Sequence, residues 1–414
     1  MKSVSEINNK ILRGEAVVFT AEEFKRMVRN GEEVHADDVD VVTTATCAVM
    51  SGTAAVIVVP VAERGVLERA EEAWLNGVPA FPGPCPNERL GVVDLIVYGT
   101  SHASRSYGGG HLFRDIVEGR PVHVKVKAAG KIFEKEVTID EMPFARMFTT
   151  RSAFRNYVAF VNTRIGTVST IFSVTGLKGP LKEATVSGTG EVNPLENDPD
   201  MRVIGFGTRI LVNGAVGYVA GEGTRSSKER PNLSVVADMR GMKPEFMGGF
   251  TTSSGPECIT SIAVPIPVID EGVLERLRVL DENIKLPVMD VNTRTQIAES
   301  SYRSVWQGVE LEVRFDTGKC RECEREVCEV EKYCPTQAFS RRGIDKTRCF
   351  NCCTCLHLCP EQGSRMCGSI QVNGKDVPIV LRQSNRSRAN MLSRMLKKLI
   401  EKGEFLLTGH TPLR

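Results

Sequence analysis

Long apolar runs, an excess of one charge and a leader-like N-terminus are all missing from this 414-residue sequence, and each absence removes a class of protein. The longest apolar stretch, Ala54 to Ala62, is broken by Pro60 and falls well short of the roughly 20 residues that cross a bilayer as a helix. No membrane partner is expected. Lys and Arg number 53 against 51 Asp and Glu, so bulk charge draws the chain neither to nucleic acid nor to an anionic membrane. Met1 and Lys2 lead into a polar stretch from Ser3 to Asn9 that lacks the apolar core of a secretory signal, and a cytoplasmic protein is expected. Disulfides are disfavoured there. There is no low-complexity segment and no internal repeat beyond the cysteine runs described below.

With 41% apolar and 25% charged residues, the chain is long enough for two or three domains with real cores. Thr20-Ala-Glu-Glu23 is a capping box that opens a helix ending near Gly31. Asp40 to Thr46, Ala54 to Val59 and Val92 to Tyr98 read as strands, whereas Val66 to Leu75 has helical spacing and stops at Asn76-Gly77. From Pro121 the period becomes two, and a hairpin is expected on either side of Gly130. A further hairpin turns at Asn213-Gly214, amid clustered glycines. Helical spacing returns at Val273 to Leu280. Ser384 to Lys402 reads as a basic amphipathic helix with Met391, Leu392, Met395 and Leu399 on its packed side and a solvated cationic face.

Thirteen cysteines in such a chain call for metal or sulfur chemistry, and ten of them lie between Cys320 and Cys367. Cys349-x2-Cys352-x2-Cys355-x3-Cys359-Pro360 matches the bacterial two-cluster ferredoxin run, in which three close thiolates hold one 4Fe–4S cluster and the fourth reaches the other. Cys320-x2-Cys323-x4-Cys328-x5-Cys334-Pro335 has the same order with two spacings lengthened. The spacing pairs Cys320, Cys323, Cys328 and Cys359 on one cluster, and Cys349, Cys352, Cys355 and Cys334 on the second. Cys-x2-Cys pairs also hold zinc; eight ligands in mirrored order and two Cys-Pro endings favour the clusters. Cys353 is expected to point away from them, and Cys367 to be a small buried residue. Clusters of this kind carry one electron each, so a fused pair implies a two-electron reduction elsewhere in the chain or in a partner.

The rest of the chain resembles a known family. Val41-Val-Thr-Thr-Ala-Thr-Cys47, Trp74-Leu-Asn-Gly-Val-Pro79, Tyr107-Gly-Gly-Gly-His111, Gly205-Phe-Gly-Thr-Arg-Ile210 and Gly217-Tyr-Val-Ala-Gly-Glu-Gly-Thr224 are similar to the homocysteine biosynthesis family, whose activity is that of an L-aspartate semialdehyde sulfurtransferase. Within it the chain resembles most the branch named methanogenesis marker sixteen metalloprotein. That resemblance implies an iron–sulfur enzyme of a methanogenic archaeon that converts sulfoacetaldehyde to coenzyme M. It also implies a sulfide or persulfide donor and a low-potential electron donor as partners; a homo-oligomer is compatible with it. Two departures stand out. Ser51 replaces the cysteine that follows the methionine matched by Met50, and Ala128-Ala-Gly-Lys131 has no cysteine where the family pattern has another.

Turning an aldehyde into a thiol requires a sulfur nucleophile to attack the carbonyl carbon, loss of water and two electrons. The nucleophile must be partly ionised and accessible. Cys47, at the end of a predicted strand, is the first candidate; Cys85, between prolines in Phe81-Pro-Gly-Pro-Cys-Pro86, is the second, and Cys258 the third. Cys47 could equally be a small buried residue at a strand end, whereas Cys85 is expected on a stiff exposed loop and Cys258 in a similar, less constrained one. Tyr107, Gly108, Gly109 and Gly110 open a predicted helix whose free N–H groups could hold a sulfonate or carboxylate, with His111 as acid or base. Arg209 and Arg225 flank the glycine-rich hairpin and could pair with that anion.

The expected architecture is therefore a mixed α/β (α+β) sulfurtransferase-like catalytic domain with β-hairpins over residues 1–308. An α+β ferredoxin-like two-cluster domain over 309–370 and an extension over 371–414 follow it. The substrate expected is a small anionic aldehyde, sulfoacetaldehyde or, in the sister reaction, aspartate semialdehyde. A non-catalytic electron-transfer or cofactor-assembly subunit is the alternative from another class.

Overall fold

The computed structural model describes residues 1–83, 88–316, 328–359 and 367–413, so Cys85, Cys320 and Cys323 lie outside the described residues. Among the described residues, fourteen strands form one large sheet. Their order is Val18–Thr20, Val41–Val49, Gly255–Pro267, Arg209–Val212, Ala215–Glu222, Leu233–Asp238, Phe144–Ser152, Thr53–Pro60, Val92–Tyr98, Val78–Pro82, Ala70–Leu75, Val122–Ala128 and Lys131–Val137, with Gly248–Thr252 paired to Gly255–Pro267. Every neighbouring pair along this order is antiparallel except the first. A second sheet of six strands takes Gln296–Ser301, Lys285–Asp290, Ala159–Val161, Ala184–Val186, Lys375–Arg382 and Ser369–Val372, so its strands come from both sides of the cysteine-rich segment. With large sheets and few helices, the fold is α+β.

Local chemistry explains several of these elements. Thr20 caps the Ala21–Arg29 helix, accepting from the Glu23 N–H at 3.2 Å while the Glu23 carboxylate takes the Thr20 N–H at 2.7 Å. Asn213 and Gly214, at φ 51° and 91°, form the turn between Arg209–Val212 and Ala215–Glu222. Ala129 and Gly130, at φ 47° and 73°, do the same between Val122–Ala128 and Lys131–Val137.

Two expectations are corrected. Val66 to Leu75 is not a helix: Ala70–Leu75 is a strand, paired with Val78–Pro82 across the Asn76-Gly77 turn and with Val122–Ala128 on its other side. The apolar spacing fits both elements, and the partner strands decide. The C-terminal helix, Arg386–Glu401, does not present its cations only to solvent: Arg386 and Arg388 are buried, while Met391 is 43% exposed. Its packed side is Ala389, Leu392, Ser393, Leu396 and Ile400, laid on Val41–Val49 and Gly255–Pro267. Each fully buried Leu or Ile contributes about 1.5–3 kcal/mol, so this helix is part of the main core. A buried ionic group fixes its start: Arg386 donates to Glu191 at 2.7 Å and to Asp281, and Arg29 reaches Glu191 from the end of the Ala21–Arg29 helix at 2.8 Å.

Candidate functional site

A cavity of about 540 Å³ opens where the Val41–Val49 strand ends. Thr46, Ala48, Met50 and Ser51 supply one wall, Asn156, Tyr157, Phe160 and Phe172 another, and Ser187, Gly188, Gln383 and Ser384 a third. Arg151, Arg225, Arg230 and Arg294 complete it, and none of its lining residues is an Asp or Glu. Among the described residues, none of these four arginines makes an ion pair within 4 Å. Arg294 lies over the rings of Phe160 and Phe172, 4.8 and 4.5 Å from their centroids, which holds its planar cation at the rim. Four cations without a carboxylate raise the local concentration of small anions. Just behind the wall, buried Glu257 lies near Ser51 and Arg151, and burial pushes its carboxyl above the usual range.

Of the residues singled out in the sequence, Arg225 and the substituted position Ser51 meet at this cavity. The others lie elsewhere. Cys47 is inside the Val41–Val49 strand and wholly buried, and alternation puts its side chain on the face opposite Thr46 and Ala48. Burial pushes its thiol up, although the nearby Arg388 cation works against that. Cys258 is wholly buried in Gly255–Pro267, packed where a Cβ on Gly99 would come within 2.7 Å of its own, and burial pushes its thiol up to about 12. Arg209 stacks on Phe405 at 4.6 Å and ties down the tail through Thr408 and Leu406.

The Tyr107 to His111 segment opens the Gly109–Val117 helix as expected, but its N–H groups are already taken by the chain. Gly108 donates to His111 Nδ1 at 3.2 Å, Gly109 to Ser101 at 2.7 Å and Gly110 to Gly99 at 3.1 Å. The glycines serve close packing: a Cβ on Gly109 would lie 2.1 Å from the Tyr98 carbonyl oxygen, and one on Gly110 2.8 Å from that of Gly248. Tyr107 donates to Asp115 at 2.7 Å and accepts from Asn76 at 3.1 Å. Half-buried His111 stacks on Tyr107, and desolvation lowers its imidazole to about 4, so it is neutral. Both rings line a second, smaller cavity that also meets Thr336, Gln337 and Arg348 of the cysteine-rich segment.

In that segment, Cys334, Cys349, Cys352 and Cys355 line one small cavity with Phe339, Ile344 and Phe350. This is the set that the spacing assigns to the second cluster. Burial, and then the charge of neighbouring thiols, pushes Cys352 up to about 12 and Cys355 upward as well; an iron centre relieves that repulsion by taking the thiolate charge. Four thiols at one apolar cavity are the donor chemistry that a 4Fe–4S cluster would take, one thiolate to each iron. Among the described residues, no three His, Cys, Asp or Glu side chains converge tightly enough for a single ion. Of the other set, Cys328 precedes the Glu329–Tyr333 helix and Cys359 follows Thr354–Leu358. Cys353 and Cys367, expected to be unpaired, are bonded to each other as a disulfide in a buried apolar cluster. Their separation of 14 residues carried no signal of this.

Cavity and cysteine module are close along the chain. Arg382 donates its N–H to the Cys352 carbonyl at 3.0 Å, and the next two residues, Gln383 and Ser384, line the large cavity. Two residues of extended backbone span at most about 7 Å.

The profile of the family described as homocysteine biosynthesis enzyme, sulfur-incorporation, matches residues 16–407. The chain belongs to this family. The match runs through the cysteine-rich segment and the C-terminal helix. An uncharacterized protein of Methanothermobacter thermautotrophicus is 49% identical over 411 residues, 98% of this chain and 94% of that protein. An L-aspartate semialdehyde sulfurtransferase of Methanocaldococcus jannaschii is 32% identical over 340 residues, 76% of this chain and 65% of that enzyme. Its counterpart from Methanosarcina acetivorans is 31% identical over 330 residues, 75% of this chain and 64% of that enzyme. No solved structure matches the chain. As a member of the family, the protein is an enzyme of sulfur incorporation. Among the described residues, no helix is long and apolar enough to cross a membrane.

The arginines that sequence reasoning missed, Arg151, Arg230 and Arg294, come from segments 79 and 64 positions apart (230 minus 151, and 294 minus 230). None carries a local signature.

Proposed function

We propose that this member of the family makes a thiol from a small, purely anionic aldehyde bound in the arginine-lined cavity, with sulfoacetaldehyde preferred and coenzyme M as product. The observation that carries the reading is four arginines and no carboxylate around one cavity at Ser51. Overall, an aldehyde, hydrogen sulfide, two protons and two electrons give a thiol and water. The arginines would fix the sulfonate, leaving the carbonyl toward Ser51 and the end of the Val41–Val49 strand. No cysteine lines the cavity among the described residues, so in this reading free sulfide is the nucleophile; Cys85 is the alternative sulfur carrier. Held by Cys334, Cys349, Cys352 and Cys355 and by Cys320, Cys323, Cys328 and Cys359, two 4Fe–4S clusters would supply the electrons, one each.

Aspartate semialdehyde is the second reading, favoured by the names of the two sulfurtransferase relatives. That aldehyde carries an ammonium group beside its carboxylate, and the cavity lining offers the ammonium no acidic partner. Anaerobic calorimetry separates the two readings. Sulfoacetaldehyde should bind, and bind at least tenfold more weakly once Arg225 is replaced by Ala; binding of aspartate semialdehyde alone would reverse the preference.

A further inference from the structure

Two arginines outside the cavity stand against the cysteine module. Arg388, in the first turn of the Arg386–Glu401 helix, is 4% exposed. Its Nη2 donates to the carbonyl oxygens of Cys349 at 2.7 Å and Thr347 at 2.9 Å, and its guanidinium carbon lies 6.0 Å from the Phe350 ring centroid. Its Nη1 is buried with no hydrogen-bond partner among the described residues. Arg388 makes no ion pair within 4 Å among them either. Arg382 is 1% exposed, lies over Trp306 at 5.1 Å, donates its N–H to the Cys352 carbonyl and its Nη1 to the Glu310 carbonyl at 3.1 Å.

An arginine keeps its charge in any protein environment, and a buried cation is costly unless an anion compensates it. Among the described residues, no carboxylate lies within 4 Å of the Arg388 guanidinium. The ionisable groups around it are Cys47, Cys349, Arg114 and Glu245, and of these Cys349, whose carbonyl it binds directly, belongs to the four-cysteine set. A cluster with four thiolate ligands is a net anion.

We infer that Arg388, with Arg382 against the same module, is the counter-charge of the cluster held by Cys334, Cys349, Cys352 and Cys355, and raises that cluster's reduction potential. This rests on the cluster reading given above. A fixed cation stabilises the reduced, more negative state, and cluster potentials follow local charge and hydrogen bonding. An electron is then held more favourably on the cluster whose ligand Cys352 adjoins Arg382, the residue before cavity-lining Gln383. Arg388 is a positioning residue here; it touches no substrate.

The test is an EPR-monitored redox titration of the anaerobic full-length chain as wild type, Arg388→Met, Arg388→Gln and Arg388→Lys, with iron and acid-labile sulfide counted in each. The Met and Gln variants should lower one of two midpoint potentials by about tenfold in the one-electron equilibrium, about 59 mV, and leave the other in place. Lys should restore most of the shift. Should the Met variant fail to accumulate, the Gln variant gives the same reading. Two clusters present with both midpoints unmoved in the variants, or a Lys variant that shifts as far as Met, would overturn the inference while leaving the cluster reading standing. A wild-type chain without clusters would overturn both.

Discussion

The backbone N–H of Asn385 donates to the carbonyl oxygen of Cys47 across 2.8 Å. One bond thus fixes the cap of the last helix to the strand that ends at the cavity, and Asn385 Oδ1 accepts the Arg388 N–H at 2.9 Å. Asn385→Ala removes the side-chain cap and should cost about 0.5–2 kcal/mol, read as a lower thermal midpoint. Truncation before Ser384 should abolish soluble protein, because it uncovers Val41–Val49 and Gly255–Pro267; a folded truncated chain would contradict this packing.

Accessibility distinguishes the cysteines. Cys47 and Cys258 are wholly buried and their thiols are pushed up. Anaerobic treatment of the folded chain with iodoacetamide should leave both unmodified, whereas a Ser51→Cys variant should be alkylated at the cavity. Mass spectrometry of the digested protein checks it, and rapid alkylation of Cys47 would show that the strand opens.

Gly109→Ala tests whether the glycines serve packing. The added Cβ meets the Tyr98 carbonyl oxygen at 2.1 Å, so the variant should lose about 1–3 kcal/mol or more and show it as a drop in thermal midpoint. A variant of unchanged stability with weakened aldehyde binding would return the anion site to the helix start.

His111 should stay neutral down to about pH 4, since desolvation, followed by the charge of Arg348, lowers its pKa. Because the folded value lies below the unfolded one, the native state is favoured fully above about pH 6.5 and loses that advantage as pH falls toward 4. The difference amounts to about 3 kcal/mol at the acid end. Histidine NMR titration reads it directly; a midpoint near 6.5 would mean the ring is solvated.

Much of the fold was legible where a local pattern has one physical solution. The Thr20 and Glu23 capping box, the Asn213-Gly214 turn and the Val92–Tyr98 strand stand where the sequence put them. Ala70–Leu75 was misread because its spacing suits either element until strands 78–82 and 122–128 are brought beside it. Of the site, the Cys349 to Cys359 run is marked by its spacing, and Arg225 by its place beside the glycines. Arg151, Arg230 and Arg294 are not, because long-range strand pairing alone gathers them.

The most direct measurement of the central claim is anaerobic thiol formation by the purified chain from sulfoacetaldehyde, sulfide and a low-potential reductant. The account predicts 2-mercaptoethanesulfonate with the wild type, and at least a tenfold loss of kcat/KM in Arg151→Ala, about 1.4 kcal/mol of transition-state binding. No thiol from sulfoacetaldehyde, with homocysteine formed from aspartate semialdehyde under the same conditions, would contradict it.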